Sequence, residues 1–462
     1  MSQTYDIAVI GGGPAGYVAA IRGAKEDKRV VLIEADHLGG TCLNRGCIPS
    51  KTLLHQAGIL DQIRNAASWG IETGEVTFSL EKMLNRKNQV IATLRTGIAG
   101  LLKVGKIDLV QGFGEVKPDK SISVQAADGL RTVVKASSII LATGSTPSVP
   151  PIPGLAQVPY FTSDTIFDVE QVPKSIAILG GGFIGVEFAC IFASLGSKVT
   201  VIEMADRLIS QEDKDAASIL SKSLRKKGVT IGTGLKVTSI SKGDTGIEIH
   251  AQDAKGNSEA IPADALLVAV GRKPNLSAIA NLNIEKNGPF VQVNEYLETS
   301  IPGIYAAGDI IGGWQLAHVA SAEGQAAAIN AAGGKQKGNM KAVPRCIYTS
   351  PEISSVGLSE EEAKAQGYAV KTTIYSHAGN GKAMASDENS GFTKLIAEET
   401  YGEVLGVVMV GPHVTEMIST GTAFLSLEAT VDDVANMIYP HPTVSESLME
   451  AAAKWLGKGI HA

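Results

Sequence analysis

Cysteine is scarce, with four in 462 residues. That is far too few for the disulfide framework of a secreted scaffold, so a reducing compartment is expected. Aromatic residues make up 5% and prolines number 18, so the 51 glycines do not belong to the Pro/Gly excess of a disordered or collagen-like chain. Basic residues are not in excess either. Lys and Arg total 41 against 47 Asp and Glu, a net charge of −6. No broad basic field exists to hold nucleic acid or an anionic membrane. The opening Met1-Ser2-Gln3-Thr4-Tyr5-Asp6 lacks the basic start of a secretory signal. Residues 176–196 carry a single charge, Glu187, and are long enough to cross a bilayer. Gly180, Gly181 and Gly182 near the start fit a buried strand and a packed helix better. A cytoplasmic enzyme is expected. Apolar residues, at 44%, suffice for large cores, and the length suggests about three domains.

The glycines are not scattered. A β-rich run at residues 5–10 leads into Gly11-x-Gly13-x-x-Gly16, a helix-compatible stretch to residue 25, and a second strand at 29–33 ending in Glu34. This is the dinucleotide fingerprint in its βαβ context. The first glycine makes the tight turn, the second lets backbone approach a pyrophosphate, and the third lets helix pack on strand. The helix N-terminus offers free N–H groups to the phosphates, and the acid can accept ribose hydroxyls. The pattern recurs at Gly180-x-Gly182-x-x-Gly185, with a strand at 198–202 and Glu203. Gly180, Gly182, Gly185 and Glu203 each lie 169 residues after their counterparts Gly11, Gly13, Gly16 and Glu34. Two copies in register, each ending in an acid, imply two dinucleotides and electron movement between them.

Both units close on a buried strand, at 138–142 before Thr143-Gly144 and at 265–270 before Gly271. From Gly16 to Gly144 is 128 residues and from Gly185 to Gly271 is 86, so the first unit carries 42 more. That insertion begins with Gly39-Gly40-Thr41-Cys42-Leu43-Asn44-Arg45-Gly46-Cys47-Ile48-Pro49-Ser50-Lys51 and continues as a helical pattern to about residue 64. Breakers at Pro147, Pro150, Pro151 and Pro153, at 272–275 and at 333–339 divide the chain. The expected parts are 1–150, 151–274, 275–343 and 344–462. The last alternates strands (391–397, 404–410) with helices (359–366, 414–427, 445–456) and has no third fingerprint.

Cys42 and Cys47 enclose four residues. A disulfide closing so small a loop adds about 2 kcal/mol by chain entropy, so a reversible catalytic dithiol is favoured over a structural bridge. Inert thiols remain open. So does zinc, although only His37 and His55 are nearby further ligands, and no metal is expected. Gly46 permits the bend, and the helix after Pro49 can favour a thiolate through its dipole. Cys190, among Ala, Ile and Phe, reads as packing, and Cys346 as a strand residue.

Residues 39–51 resemble the active-site signature of the pyridine nucleotide–disulfide oxidoreductases, in the form carried by the branch that oxidises dihydrolipoamide. The resemblance runs the whole chain, through both fingerprints, a second flavin motif at 299–309, and His441-Pro442-Thr443-Val444-Ser445-Glu446. It implies an α/β fold with two Rossmann-like domains, the first for FAD and the second for NAD(P), and a C-terminal α+β dimerisation domain. Residues 275–343 would complete the FAD domain. Cys42 would exchange with substrate and Cys47 would face the flavin. Lys51 and Glu187 would pair beside it; alone, Glu187 could equally be a helix residue reaching out of an apolar stretch. Thr41, Thr143, Gly144, Asp309 and Ala317 would contact FAD, with Asp309 on the ribityl chain, and Gly271 the nicotinamide nucleotide. His441 alone is as readily structural, and Thr443-x-x-Glu446 reads as a capping box. The resemblance makes His441 a general base oriented by Glu446 and reaching the other subunit's dithiol. Glu203 favours NAD over NADP, since a carboxylate binds the 2′-OH and repels a 2′-phosphate. The glutathione reductase branch uses basic residues there. Mercuric reductases end in a cysteine pair, and related transhydrogenases lack the dithiol. The implied partners are a second copy and lipoyl domains of an acyltransferase or glycine cleavage carrier arriving on another chain. Rival expectations are an NADH-dependent reductase of another small disulfide and a redox-sensing flavoprotein module.

Overall fold

The computed structural model describes residues 4–243, 246–338 and 340–461. Met1, Ser2, Gln3, Asp244, Thr245, Ala462 and Asn339, the last residue of the expected 333–339 linker, fall outside them. Strand Thr4–Ile10 lies between Val30–Glu34 and Arg131–Leu141, parallel to both. Asp108–Gln111 extends one edge and Ile304–Ala306 adds to Arg131–Leu141, again in parallel. Residues 131–134 of the long strand instead continue into an antiparallel meander with Ile122–Gln125 and Phe113–Val116.

The second unit repeats this plan. Its parallel strands run in the order Thr230–Thr233, Lys198–Glu203, Ser175–Leu179, Ala265–Val268 and Phe161–Thr162, with an antiparallel meander of three strands beside them. The helices Pro14–Lys25 and Phe183–Ser194 begin and end 169 residues apart. The apolar stretch at 176–196 is thus a strand, a turn and a 12-residue helix. Among the described residues no helix is long and apolar enough to cross a membrane.

A third sheet is antiparallel throughout, in the order Arg345–Ile347, Glu352–Gly357, Val404–Gly411, Phe392–Glu398 and Val370–Ser376. Helices Val414–Ser426, Val431–Asn436 and Glu446–Trp455 pack with it in one core. Ile347, Ile353, Phe392, Val408 and Val410 of this sheet share a second core with Ile191, Leu220 and Leu224 of the second unit. The fold is α/β, with two Rossmann-like units and a C-terminal α+β unit.

Each fingerprint turn is locked by two close contacts. Gly11 and Gly180 have φ of 102° and 104°, a backbone that side-chain-bearing residues rarely adopt. A Cβ on Gly16 would stand 1.7 Å from the Gly11 carbonyl oxygen, and one on Gly185 1.9 Å from that of Gly180. Gly58, mid-helix, would meet nothing within 4 Å. Gly16→Ala should therefore lower the thermal midpoint, with a loss of about 1–3 kcal/mol typical of overpacking. Gly58→Ala should raise it, by roughly 0.5–1 kcal/mol in stability. Equal shifts in a melting assay would show that helix-to-turn packing is not what fixes Gly16.

Candidate active site

One cavity of about 1060 Å³ runs past both fingerprints and the cysteine pair. Gly11, Gly13, Glu34, Thr41, Thr143, Gly144, Asp309 and Ala317 line it from the first unit, and Gly180, Gly182, Glu203 and Gly271 from the second. Gly16 and Gly185 lie behind it as packing glycines. Gly13 and Gly182 N-cap their helices, and neither helix has a side-chain cap. A Cβ on Gly182 would project into open space. Free N–H groups facing space that a side chain would fill suit a pyrophosphate at each turn.

The two acids are held alike. Glu34 accepts from the N–H groups of Gly12 and Asp36. Glu203 accepts from those of Gly181, at 2.6 Å, and Ala205, at 2.7 Å. These partners also differ by 169 in number. The acid thus ties the strand end to the glycine turn while leaving lone pairs for a ribose. Arg207, near Glu203, is spent on Asp206 and the Ser210 carbonyl.

The dithiol sits where two helices meet. Cys42 lies in Gly40–Arg45 and Cys47 opens Cys47–Arg64, with Gly46 between them. One expectation changes. The second helix starts at Cys47 itself, not after Pro49, so its positive end meets the sulfur directly. Gly46, with φ −139°, makes the bend between the two helices. Its need for glycine is space, because a Cβ would lie 3.1 Å from the Thr41 carbonyl oxygen. Both thiols are free. The hydrogen bond from Cys42 outweighs burial and, with Lys51 nearby, lowers Cys47 to about 7. The same hydrogen bond, followed by burial, pushes Cys42 strongly up. The pair is poised as one thiolate on Cys47 and one thiol on Cys42.

Lys51, one turn along the same helix, donates to both oxygens of Glu187 at 2.9 and 2.8 Å. Glu187, whose side chain is only 8% exposed, comes from the second fingerprint helix. Its Oε1 also accepts from the Tyr348 N–H, and Lys51 Nζ stands 4.5 Å above the Tyr348 ring. Glu187 is a partnered buried charge and does not reach solvent.

Asp309 accepts from Ser145 Oγ at 2.5 Å. Arg272 donates to that same hydroxyl, to the Ser145 carbonyl and to Asp164. Glu323 accepts from the Gly308 N–H, and burial raises it to about 7. Ser145, Arg272, Glu323 and Tyr348 were missed in the sequence, where 272–275 reads only as a breaker. Glu323 did leave a signal, being the one acid in the Ala-rich helix Ala317–Ala331. Cys190 is buried in its helix, but Cys346 lines the cavity and burial raises it to about 11.

His441 and Glu446 stand apart from the cavity lining. His441 Nδ1 lies 3.0 Å from Glu446 Oε1, and the histidine side chain is 80% exposed. The expected capping box is half formed. Thr443 N–H donates to Glu446 Oε2, while the Thr443 hydroxyl turns back to the Pro440 carbonyl and Ser445 takes the N-cap. Burial, which alone would raise Glu446, is outweighed by the Thr443 N–H and His441, and the carboxyl sits below its usual range.

The profile of the pyridine nucleotide-disulphide oxidoreductases matches residues 5–324, and the dimerisation-domain profile of that family matches 343–452. The chain is 41% identical to a dihydrolipoyl dehydrogenase of Bacillus subtilis, with all of both chains covered. It is 38% identical to that of Chlamydia pneumoniae, covering 100% of this chain and 99% of the other. Among solved structures, LpdA from Mycobacterium tuberculosis superposes with a TM-score of 0.89 at 28% identity, covering 97% of this chain and 99% of that one. The HOCl-induced flavoprotein disulfide reductase RclA from Escherichia coli gives 0.86 at 30%, with 97% and 99% covered.

The Lys51 ammonium favours the charged form of Cys47, so removing it raises that pKa. In the reduced protein, ultraviolet thiolate absorbance should rise with pH through a midpoint near 7. Lys51→Met should move the midpoint to higher pH. An unmoved midpoint would mean that the neighbouring thiol and helix end alone hold the charge.

Proposed function

The chain belongs to the pyridine nucleotide-disulphide oxidoreductase family, and we propose that within it the chain oxidises protein-bound dihydrolipoamide to lipoamide with NAD⁺ as acceptor. It is an oxidoreductase that uses FAD and NAD, and it carries the family's dimerisation domain. The observation that carries the reading is the single cavity in which two dinucleotide cradles flank one polarised dithiol. Full-length identity of 38–41% to dihydrolipoyl dehydrogenases supports this substrate over another small disulfide.

The proposed roles follow from the chemistry of each group. Residues 1–150 with 275–343 hold FAD, residues 151–274 hold NAD, and residues 344–462 form the dimer interface. Gly11, Gly13 and Glu34 seat the FAD pyrophosphate and ribose, with Thr41, Thr143, Gly144, Asp309 and Ala317 along the rest of the molecule. Gly180, Gly182, Glu203 and Gly271 seat NAD. A Glu203 carboxylate already bonded to two N–H groups suits a 2′-OH and disfavours a 2′-phosphate. His441, turned by Glu446, takes the proton of one substrate thiol. That thiolate attacks Cys42 of the oxidised pair, and Cys47 leaves as the thiolate. The second substrate thiol then attacks the sulfur of the first, its proton passing to the departing Cys42 sulfur, which closes the lipoamide disulfide and leaves the electron pair on a Cys42 thiol and Cys47 thiolate. Bound flavin supplies the two-electron relay from this dithiol to NAD⁺. Lys51 and the helix end stabilise the Cys47 thiolate in the meantime. His441 would serve the dithiol of the other subunit. The substrate lipoyl group would arrive on an acyltransferase of a 2-oxo acid dehydrogenase or on a glycine cleavage carrier, in the cytoplasm.

Anaerobic dihydrolipoamide should bleach the flavin and generate NADH, with NAD⁺ strongly preferred over NADP⁺. Failure to bleach would overturn the substrate, and equal use of both nucleotides would overturn the role of Glu203. Cys47→Ser should abolish this turnover, and retained turnover would remove the dithiol from the mechanism.

A further inference from the structure

His377 is fully buried (0% exposed) in a turn directly after strand Val370–Ser376. Its ring occupies a slot that glycine alone leaves open. A Cβ on Gly411 or on Gly391 would lie 2.6 or 3.0 Å from His377 Nδ1. Nε2 is hydrogen-bonded to Thr393 Oγ1 at 3.1 Å, and that hydroxyl to Ser447 Oγ at 2.7 Å. Thr393 and Ser447 are fully buried too. Nδ1 has no hydrogen-bond partner among the described residues. Burial pushes the imidazole down to about 4, so it is neutral at neutral pH.

A leucine or phenylalanine would fill such a slot without the cost of an unpaired ring nitrogen, on the order of 1–3 kcal/mol. The polar chain has one outlet, the first turn of helix Glu446–Trp455, at the residue after Glu446. A second tether comes from the same segment. Asn380, also buried, donates from Nδ2 to the Thr443 carbonyl at 3.0 Å while its Oδ1 accepts from Ala383 N–H. Thr443 in turn donates to Glu446. The tethers therefore end one between His441 and Glu446, at Thr443, and one directly after Glu446, at Ser447.

We propose that His377 and Asn380 are positioning residues for the general base, acting through Thr393, Ser447 and Thr443 to fix the loop that carries His441 and Glu446. His377 never touches substrate. It sets the start of the helix, the helix sets Glu446, and Glu446 sets the ring. The inference rests on the proposed role of His441.

Thr393→Val keeps the side-chain shape and removes both hydroxyl links. Asn380→Asp keeps the cap on Ala383 N–H and replaces the donor to Thr443 with an acceptor. In holoenzyme of each variant, the rate of flavin bleaching by dihydrolipoamide should fall roughly tenfold to a hundredfold, the loss expected for a misplaced catalytic group. NADH-driven reduction of ferricyanide, which needs no base at the dithiol, should be unchanged, as should flavin content. Parental bleaching rates in both variants, or an equal fall in both activities, would overturn the platform. Failure of the parent to bleach would instead refute the substrate. In that event the platform is judged by NMR of labelled histidine: Thr393→Val should disorder the His441 imidazole signal, and an unchanged signal would overturn it.

Discussion

The ion pair between Lys51 and Glu187 is the contact at which all three sheets are brought to one place. Lys51 rides the helix that starts at Cys47, Glu187 sits in the second fingerprint helix, and the Tyr348 N–H that completes the carboxylate's shell follows the first strand of the third sheet. Removing one partner of a buried pair typically costs about 3–5 kcal/mol, because the other charge is left uncompensated. Here the cost has a direction. An uncompensated Glu187 would sit beside Cys47, where it opposes the thiolate that Lys51 favours. A contact between the units therefore also adds to the bias of the Cys47 sulfur toward the thiolate, beside the larger effect of the Cys42 hydrogen bond.

Duplication explains why so much of the rest follows from few residues. The offset of 169 holds for glycines, acids, helix ends and the backbone N–H groups that the acids accept. A carboxylate that binds its own glycine turn makes strand, turn and helix one rigid body before any ligand arrives. That rigidity is what binding a dinucleotide through backbone N–H groups demands, since the donors cannot adjust like side chains. The units differ where the first gained its insertion, and that is where the cysteines are.

Legibility in the sequence tracked the range of the physics. Strand and helix positions, the α/β class and the glycine cradles were readable because they rest on local spacing and backbone sterics. Helix Cys47–Arg64 ended where periodicity placed its end, but it starts three residues earlier than the proline suggested, with Pro49 accommodated in its first turn. Ser145 and Arg272 were invisible for a different reason. Their significance lies in hydrogen bonds from Arg272 to Ser145 and from Ser145 to Asp309, which span 127 and 164 positions of sequence. The capping box at Thr443 formed only in part because its hydroxyl donates back to the Pro440 carbonyl and Ser445 takes the N-cap.

The histidine and carboxylate pair raises a problem that one chain cannot solve. In the role proposed for it, a His441 that is 80% exposed to solvent would be poorly placed to take a thiol proton in a site that must shed water. The residues just before it are apolar and open, with Ile438 99% and Met437 45% exposed. The segment falls within the dimerisation-domain match. Covering Met437 and Ile438 on association would desolvate the neighbouring base at the same stroke. On the proposed role of His441, assembly and the completion of the acid–base machinery would then be one event, with the braces behind the loop holding the imidazole in place beforehand.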